Sequence, residues 1–477
     1  MTSRTGPTGP IGPGLTGDEL VAEVGRALTS LPRGAAAVVA VSGGPDSTVL
    51  AHLVAAARPD LRLTLAHVRH GLRDDRADVA AVRRLATVLR LPLEVTDVTV
   101  EPAGEGVEAA ARHARYAALR AVAAAGGART VLVGHTAEDQ AETLLLRIAR
   151  GTGVAGLAGM EPLRPHGRDL QVARPLLRLR RPDLRRFVAR QGLDVVEDPT
   201  NRDPAVRRAV VRHEILPLLQ RVGADPVAAL ARLADLARED DRLLDRQAAV
   251  VAAALVRPYG PARAIPTDGL DALDVATARR VLRRLLDEVR PGRPPLAAGH
   301  VDAVLALRSG EAVDLPGAAV TRGGGWLAAV PRGLRPATAV PLQVPGVTPW
   351  RPAGVAIAAG PARPAPRRRR PAGDAATRSG TVPPGGDAAL TAVLLSDDAA
   401  GGLTVRSRRP GDRLRTAAGT RKLQDLLVDA GVPRAVRDLL PMVVRGDRVL
   451  WVPGVAVDVD AGAAGAARPA LALTVTR

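Results

Sequence analysis

The chain has 477 residues, enough for two or three domains that each bury a hydrophobic core. Its 67 Lys and Arg residues outnumber its 49 Asp and Glu residues, and the net charge of +18 favours a nucleic acid as partner more than a membrane. The absence of cysteine excludes disulfides, thiolate metal sites and cysteine-based catalysis. No apolar run approaches the roughly 20 residues that span a bilayer. We therefore expect a cytoplasmic protein, with no membrane partner and a flexible tail at residues 1–17.

The first polar motif lies between a predicted strand and a predicted helix. Residues 38–41 are small and mostly β-branched, which is typical of a buried strand, and apolar residues recur at helical spacing from Val49 onwards. The turn between them, SGGPDS, contains two glycines that let the backbone approach a ligand, and the following helix start favours an anion. The carboxylate of Asp46 is suited to a magnesium ion that bridges phosphates. The turn predicts a phosphate site formed by Ser42, Gly43, Gly44, Pro45, Asp46 and Ser47.

Two well-known phosphate motifs do not fit this turn. A Walker A loop has a lysine directly before its Ser or Thr, and the single lysine of this chain is Lys422. The glycine spacing also differs from the GxGxxG of dinucleotide-binding folds. Taken alone, the turn is also compatible with an ordinary glycine-rich connection between a strand and a helix.

Strand-like segments then alternate with long helical segments. After the first strand, further strands are predicted at residues 61–68, 93–98 and 130–133. Helices of this length between strands are typical of parallel βαβ units, whose ligands bind at the carboxyl ends of the strands. We therefore expect an α/β domain in which the polar residues that follow each strand lie at one edge of the sheet.

A second polar motif, GHTAEDQAETLLLRIARGTG, follows the strand at 130–133. Gly134 permits a sharp exit from the strand, and His135 follows it. Asp139 and Glu142 lie three residues apart and so share one face near the start of a helix. Such a pair is often only a solvated first helical turn. Opposite a phosphate loop, however, it indicates an acidic pocket with two negative charges.

At this point the motifs resemble a known family. SGGPDS resembles the pyrophosphate-binding loop of N-type ATP pyrophosphatases, the PP-loop superfamily. The stretch GHTAEDQAETLLLRIARGTGVAGLAGM resembles the signature of the tRNA(Ile)-lysidine synthase family within it. Further similar stretches are RPLL at 174–177, EDPTNRD at 197–203, RPGD at 409–412, TRKLQDLL at 420–427 and VPR at 432–434.

The resemblance implies three domains. They are a parallel-sheet ATP pyrophosphatase catalytic domain at 18–222, a mainly helical middle domain at 223–345 that binds tRNA, and a small α+β C-terminal domain at 396–477 that also binds tRNA. Residues 346–395 are rich in Pro, Arg and Gly and predict a disordered linker.

The resemblance also implies a reaction. An enzyme of this family ligates free L-lysine to C2 of the wobble cytidine of isoleucine tRNA with a CAU anticodon, and this changes codon recognition from AUG to AUA. ATP adenylates the base and releases pyrophosphate, and the side-chain amine of lysine then expels AMP to give lysidine. The implied substrate is ATP, and the implied metal is Mg²⁺.

Individual residues of this chain match positions with roles in the family. Asp46 would hold Mg²⁺ in the phosphate loop, Asp139 and Glu142 would bind lysine, and Arg115 and His135 would lie near the nucleotide and the activated base. The residues with an implied role in binding tRNA are Arg208, Arg212, Arg421 and Lys422.

The chain departs from the family pattern at three positions, and several alternatives stay open. Glu138 replaces the first Asp of a pair, and Val206 and Ala209 replace a Tyr and an Asn. The alternatives are another PP-loop enzyme that modifies tRNA, or a tRNA-binding factor with a degenerate ATP site. The sequence also leaves open whether Asp139 and Glu142 bind lysine or metal. It does not determine the oligomeric state, with a homodimer among the options.

Overall fold

The computed structural model describes residues 14–71, 75–100, 107–167, 169–196, 207–334, 338–361, 390–395, 402–461 and 469–476. The chain divides into two compact units, Met1–Arg242 and Leu243–Arg477. None of the helices within the described ranges is long and apolar enough to cross a bilayer. The predicted tail at residues 1–17 lies largely outside these ranges, and so does the predicted motif at 197–203.

The first unit alternates strands and helices, as the sequence predicts. Its elements in chain order are α1 (Gly17–Ala27), β1 (Ala36–Ala40), α2 (Pro45–Ala57), β2 (Arg62–Arg69), α3 (Arg76–Leu89), β3 (Leu93–Asp97), α4 (Val107–Ala125), β4 (Thr130–Leu132), α5 (Ala137–Ala149), α6 (Val154–Leu157), β5 (Leu163–Pro165), β6 (Gln171–Ala173), α7 (Arg181–Gln191), α8 (Arg207–Val210), a π-helical turn (Val211–Ile215), α9 (Leu216–Gln220) and α10 (Pro226–Leu255). The division between the two units falls within α10.

These strands form one sheet in the order β3-β2-β1-β4-β6-β5. All neighbouring pairs are parallel except β5 and β6, so the predicted parallel-sheet α/β class is confirmed. The strand order reverses direction at β1, because β2 lies on one side of it and β4 on the other. In open parallel sheets the ligand crevice lies at such a reversal, outside the carboxyl ends of the strands. Here the crevice is therefore bordered by the loops that follow β1 and β4.

Alternating residues of β1 pack on opposite faces of this sheet. Val39 packs in a core with Leu20 of α1 and Leu50 of α2. Val38 packs in a second core with Tyr116 and Leu119 of α4. Because helices cover both faces, the strand is apolar along its whole length, which explains its sequence.

Each crevice loop contains a glycine at a close backbone contact. Gly43 has a φ of +86°, and a Cβ there would lie 3.2 Å from the Cα of Asp78 in α3. At Gly134 a Cβ would lie 3.1 Å from the carbonyl oxygen of Asp46 and 3.3 Å from the nitrogen of Ser47. The loop after β4 therefore packs directly against the start of α2, with no space for a methyl group.

The second unit is built from helices and antiparallel sheets. After the last residues of α10, its middle region contains β7 (Arg257–Tyr259), β8 (Ala262–Pro266), α11 (Thr267–Asp271), α12 (Val275–Val289), α13 (Ala298–Leu305), β9 (Ala312–Leu315), β10 (Ala318–Gly323) and β11 (Trp326–Pro331). The five strands form a sheet in the order β7-β8-β11-β10-β9.

The remainder of this unit is mostly β-structure. Its elements are β12 (Val340–Pro341), β13 (Gly346–Trp350), a 3₁₀ turn (Arg351–Ala353), β14 (Val355–Pro361), β15 (Leu390–Leu395), β16 (Leu403–Arg406), β17 (Arg413–Thr416), β18 (Gly419–Lys422), α14 (Leu423–Asp429), a second 3₁₀ turn (Arg434–Val436), β19 (Met442–Arg445), β20 (Arg448–Val452), β21 (Ala456–Val457) and β22 (Pro469–Thr476). They form sheets in the orders β12-β16-β19-β20-β21 and β13-β14-β22-β15, and a β17–β18 hairpin.

The structure corrects the predicted disordered linker at residues 346–395. Its first part forms β13 and β14, and its last part forms β15, and these strands share a sheet with β22. Trp350 is buried and donates its indole N–H to the carbonyl oxygen of Leu439 at 2.7 Å, and Ile357 is buried in the same core. The high Pro and Gly content concealed these short strands from the sequence pattern, and β14 and β15 both pair with β22, far along the chain from β14. Residues 362–389 lie outside the described part.

The middle and C-terminal regions share a hydrophobic core. Tyr259, Ala262 and Ala328 of the middle sheet pack with Val436 and Leu439. The structure thus joins two regions that the sequence analysis separated at 345, and it places the division from the first unit at Arg242 instead of 222. The physical reason is that the first part of α10, which begins at Pro226, packs on the first unit: Val227 lies in a core with Ala137, and Arg238 donates to the carbonyl oxygen of Ala158 at 2.8 Å.

We predict that Gly134→Ala destabilises the first unit by about 1–3 kcal/mol, because its methyl group overpacks the contact with Asp46. Gly153→Ala is the matched control, since a Cβ at Gly153 has no heavy atom within 4 Å and its φ is not positive. Urea denaturation of both variants measures the difference. Equal midpoints for the two variants would show that the loops have room to separate.

Candidate active site

The first crevice loop is shaped by its own hydroxyl groups. The hydroxyl of Ser47 donates to the carbonyl oxygen of Gly44 at 3.0 Å and accepts the N–H of Ser42 at 3.0 Å. The hydroxyl of Ser42 lies 3.1 Å from that of Ser47. Gly44 is the N-cap of α2 and provides no side-chain cap, and Pro45 begins the helix. The N–H groups of the first helical turn therefore have no acceptor within the helix and can bind an anion.

The second crevice loop holds its acidic residue rigidly. Thr136 caps α5, and Asp139 accepts the N–H and the hydroxyl of Thr136 through Oδ2 at 2.8 and 2.9 Å. This capping box leaves only Oδ1 of Asp139 directed to other partners, and Oδ1 accepts Nη2 of Arg181 at 2.7 Å. The position of Asp139 is thus determined both by its own helix and by an ion pair.

Glu142 is fully buried, with none of its side chain exposed. Arg212 donates to it twice, from Nε to Oε1 at 2.7 Å and from Nη2 to Oε2 at 3.2 Å. Nη1 of Arg181 lies 3.3 Å from Oε1, and Nε of Arg208 lies 3.6 Å from Oε2. Three guanidinium groups therefore surround this one carboxylate.

Arg181, the first residue of α7, connects both loops. Its Nε contacts Asp46 at 3.2 Å, its Nη2 contacts Asp139 at 2.7 Å and its Nη1 contacts Glu142 at 3.3 Å. Sequence reasoning missed this residue, because nothing in the arginine-rich segment RLRR at 178–181 distinguishes it. The sequence contained only indirect evidence for it: two carboxylates near a buried strand end need a cation nearby, but the sequence does not show which arginine supplies it.

Glu138, which departs from the family pattern, also has a defined place. Its Oε1 accepts Nε of Arg180 at 2.9 Å, and its Oε2 accepts the backbone N–H of Arg181 at 2.9 Å. The carboxylate at this position therefore anchors the start of α7 beside α5.

The sequence predicted an acidic pocket with two negative charges. In the structure Arg181 and Arg212 pair with these carboxylates and compensate their charge. Burial raises the pKa of Asp46, and Arg181 offsets part of this effect. Burial also acts to raise the pKa of Asp139, but Arg181 and the bonds from Thr136 outweigh it and hold that pKa below its usual value. Asp139 is therefore ionised at neutral pH, as part of a compact cluster of opposite charges.

A group of basic residues lies next to this cluster. Arg112 and Arg115 lie over the ring of Tyr116, with their Cζ atoms 5.1 and 5.8 Å from its centroid. Burial lowers the pKa of Arg115, and no carboxylate among the described residues forms a salt bridge with it. Nδ1 of His135 and the hydroxyl of Tyr116 are buried and have no hydrogen-bond partner in the described ranges. An anionic or polar ligand would supply the missing partners.

The four predicted tRNA-binding residues lie in two places. Arg212 and Arg208 lie beside Glu142, and Arg208 also donates to the hydroxyl of Thr143 at 3.2 Å. Arg421 lies on β18 of the second unit and pairs with Asp429 at 2.6 Å, and Lys422 is exposed at the start of α14. Arg212 thus pairs with the acidic cluster of the first unit, whereas Arg421 and Lys422 belong to the second unit.

We predict that Glu142→Gln lowers the free energy of unfolding by about 3 kcal/mol, because it removes the buried counter-charge of Arg212 and one of the three carboxylates around Arg181. Glu94→Gln, at an exposed position on β3 of the same unit, is the control. Urea denaturation at neutral pH measures both. A variant as stable as the control would mean that the arginines need no carboxylate at this position.

We predict a second effect, on the pH dependence of stability. Burial lowers the pKa of His135 to about 3, whereas an unfolded histidine titrates near 6.5. The unfolded state therefore binds the proton first, so the stability due to neutral His135 is complete above about pH 6.5 and is lost progressively as the pH falls toward 3. His135→Gln should reduce the loss of stability between about pH 7 and pH 5 by about 2 kcal/mol.

Urea midpoints at both pH values test this expectation, with the exposed His213→Gln as the control. An acid dependence in His135→Gln equal to that of the wild type would contradict it.

Comparison with protein families matches both ends of the chain. The model of the PP-loop domain matches residues 19–219, which contain both crevice loops. The model described as the TilS substrate C-terminal domain matches residues 403–472 in the second unit. The two matches together cover more than half of the chain and agree with the resemblance seen in the sequence.

Comparison with individual proteins extends the match over almost the whole length. The tRNA(Ile)-lysidine synthase of Symbiobacterium thermophilum is 38% identical, over 92% of this chain and 94% of that protein. The protein of the same name from Geobacter sulfurreducens is 33% identical, over 87% of this chain and 88% of that protein. That from Streptomyces coelicolor is 42% identical, over 61% of this chain and 84% of that protein. The chain belongs to the tRNA(Ile)-lysidine synthase family.

Proposed function

We propose that this protein ligates free L-lysine to C2 of the wobble cytidine of isoleucine tRNA with a CAU anticodon, through an adenylated cytidine formed from ATP. One observation carries the proposal. A phosphate-type loop after β1 and a buried acid pair in α5, which follows β4, face one crevice, and Arg181 contacts both. The family membership agrees with this assignment.

The loop after β1 would bind the phosphates of ATP. The N–H groups at the start of α2 and the backbone of Gly43 and Gly44 supply donors, and the helix dipole favours the negative charge. Attack by the C2 oxygen of cytidine on the α-phosphorus releases pyrophosphate. Donors already in place stabilise the charge that develops on this leaving group.

Asp46 is suited to hold Mg²⁺ together with those phosphates. No group of three or more carboxylate or histidine side chains gathers as a metal site in the described part of the chain. Magnesium commonly takes one or two carboxylates and completes its coordination with phosphates and water. Its chemistry would be to neutralise the charge of the departing pyrophosphate.

Asp139 and Glu142 would receive the side-chain ammonium group of lysine. One carboxylate takes a proton from it, since only the neutral amine is a nucleophile. The amine then attacks C2, the bond from C2 to the adenylate oxygen breaks, and AMP leaves. Arg115 would neutralise the phosphate of this AMP, and neutral His135 would hydrogen-bond to the base or nucleotide through its unpaired Nδ1.

The tRNA would also contact basic residues outside the crevice. In the second unit Lys422 is exposed on the segment matched by the C-terminal domain model, next to Arg421. We assign both residues to contacts with tRNA phosphates.

We also place the reaction in the cytoplasm. The protein is a monomer or a homodimer, and sedimentation velocity distinguishes the two.

A direct assay tests the function. The full chain is incubated with a CAU isoleucine tRNA transcript, ATP, Mg²⁺ and radiolabelled lysine, and we expect label in the tRNA together with equal amounts of AMP and pyrophosphate. Pyrophosphate release without lysine incorporation would instead indicate another PP-loop tRNA-modifying enzyme. Binding of ATP and tRNA without pyrophosphate release would indicate a binding factor.

We predict that Asp46→Asn reduces pyrophosphate release in this assay by at least about 100-fold, because the substitution removes a carboxylate that faces the leaving group. Asp18→Asn, at an exposed position in α1, is the control for removal of one negative charge. Circular dichroism verifies that both variants fold. A folded Asp46→Asn protein that turns over at the control rate would remove Asp46 from the phosphate site.

A further inference from the structure

The guanidinium of Arg181 occupies the position that the proposed function assigns to the substrates. Each of its three nitrogens contacts a different carboxylate, with Nε on Asp46, Nη2 on Asp139 and Nη1 on Glu142. Asp46 belongs to the phosphate side of the crevice, and Asp139 and Glu142 belong to the amine side. The side chain of Arg181 therefore occupies the carboxylates on both the phosphate side and the amine side of the crevice.

Every carboxylate oxygen on the amine side already accepts at least one hydrogen bond, and arginines supply most of these bonds. Oδ2 of Asp139 accepts from Thr136, and its Oδ1 accepts from Arg181. Both oxygens of Glu142 accept from Arg212. Because Arg181 and Arg212 already compensate the negative charge, a lysine ammonium group binds here more favourably when an arginine withdraws.

Of the two arginines, Arg181 is the one that can leave the carboxylates of the amine side and move toward the phosphate loop. Arg212 makes a two-point contact with Glu142, including one bond of 2.7 Å, whereas Arg181 holds Glu142 by a single bond of 3.3 Å and Asp139 by a single bond of 2.7 Å. Arg181 also reaches Asp46, at 3.2 Å, beside the loop that would bind phosphates. A polyphosphate at that loop offers a guanidinium a stronger, multivalent acceptor than one carboxylate does.

We propose that Arg181 keeps the amine pocket closed in the free protein and that the phosphates of ATP draw it toward the loop, which opens Asp139 and Glu142 to lysine. This inference rests on the proposed function and adds an order of binding to it. ATP binds first, and lysine binds to the nucleotide complex. Because linkage is reciprocal, bound lysine must also tighten the binding of nucleotide.

Isothermal titration of the full chain with L-lysine tests the coupling. The titration is made without nucleotide and with saturating α,β-methylene-ATP and Mg²⁺. For the wild type we expect the lysine Kd to fall by at least about 5-fold when the analogue is present. For Arg181→Gln we expect lysine to bind without nucleotide about as tightly as it binds to the wild-type nucleotide complex, so that the coupling is lost.

Arg180→Gln is the matched control. Arg180 is the neighbouring residue and pairs with Glu138 and Asp225, and it contacts none of the three carboxylates that hold Arg181. We expect this variant to keep the wild-type coupling. Arg181→Lys serves as a second variant if Arg181→Gln does not fold, since a single ammonium group cannot reproduce the three-point contact and should give weaker coupling.

Three results would overturn the inference. They are equal lysine affinity in the wild type with and without the analogue, unchanged coupling in a folded Arg181 variant, and weaker lysine binding by Arg181→Gln in both states. The last result would show that Arg181 assembles the pocket instead of closing it. The lysidine assay separates this question from the proposed function, because a wild type that makes lysidine but shows one of these results refutes only the role of Arg181.

Discussion

The contact between two loops at the carboxyl ends of β1 and β4 is the constraint on which the crevice depends. The missing side chain of Gly134 lets the second loop lie against the backbone of Asp46. This contact occurs where the strand order reverses, so the start of α2 and the start of α5 face the same space. An anion-binding helix start and an acidic helix start thereby become one site, although almost one hundred residues separate them in the chain.

Bringing these groups together places three carboxylates in one crevice, and arginines compensate their negative charge. Asp139 and Glu142 are buried and Asp46 is half-buried, and desolvation penalises each charge unless a cation compensates it. Arg181 and Arg212 supply the compensation, and the low pKa of Asp139 follows from it. The same arrangement explains how one residue, Arg181, comes to link the phosphate side and the amine side of the crevice.

The sequence predicted the fold class and the crevice well, for identifiable reasons. The alternation of strands and helices, the SGGPDS turn and the i, i+3 spacing of Asp139 and Glu142 are all local patterns. The strands at 346–361 and 390–395 were missed because short strands in a Pro- and Gly-rich context carry little periodicity. Two of them, β14 and β15, pair with β22, which lies more than one hundred residues after β14.

The sequence by itself determined which groups meet in the crevice: the glycines that permit close approach, the start of α2 with its free N–H groups, and the carboxylates on one face of α5. The tertiary structure alone decided which cations those carboxylates pair with. Arg181 lies 135 residues from Asp46 and 42 from Asp139 in the chain, and Arg212 lies 70 residues from Glu142. Ion pairing depends on distance in space, and no local pattern distinguishes these arginines from the many others in so basic a chain.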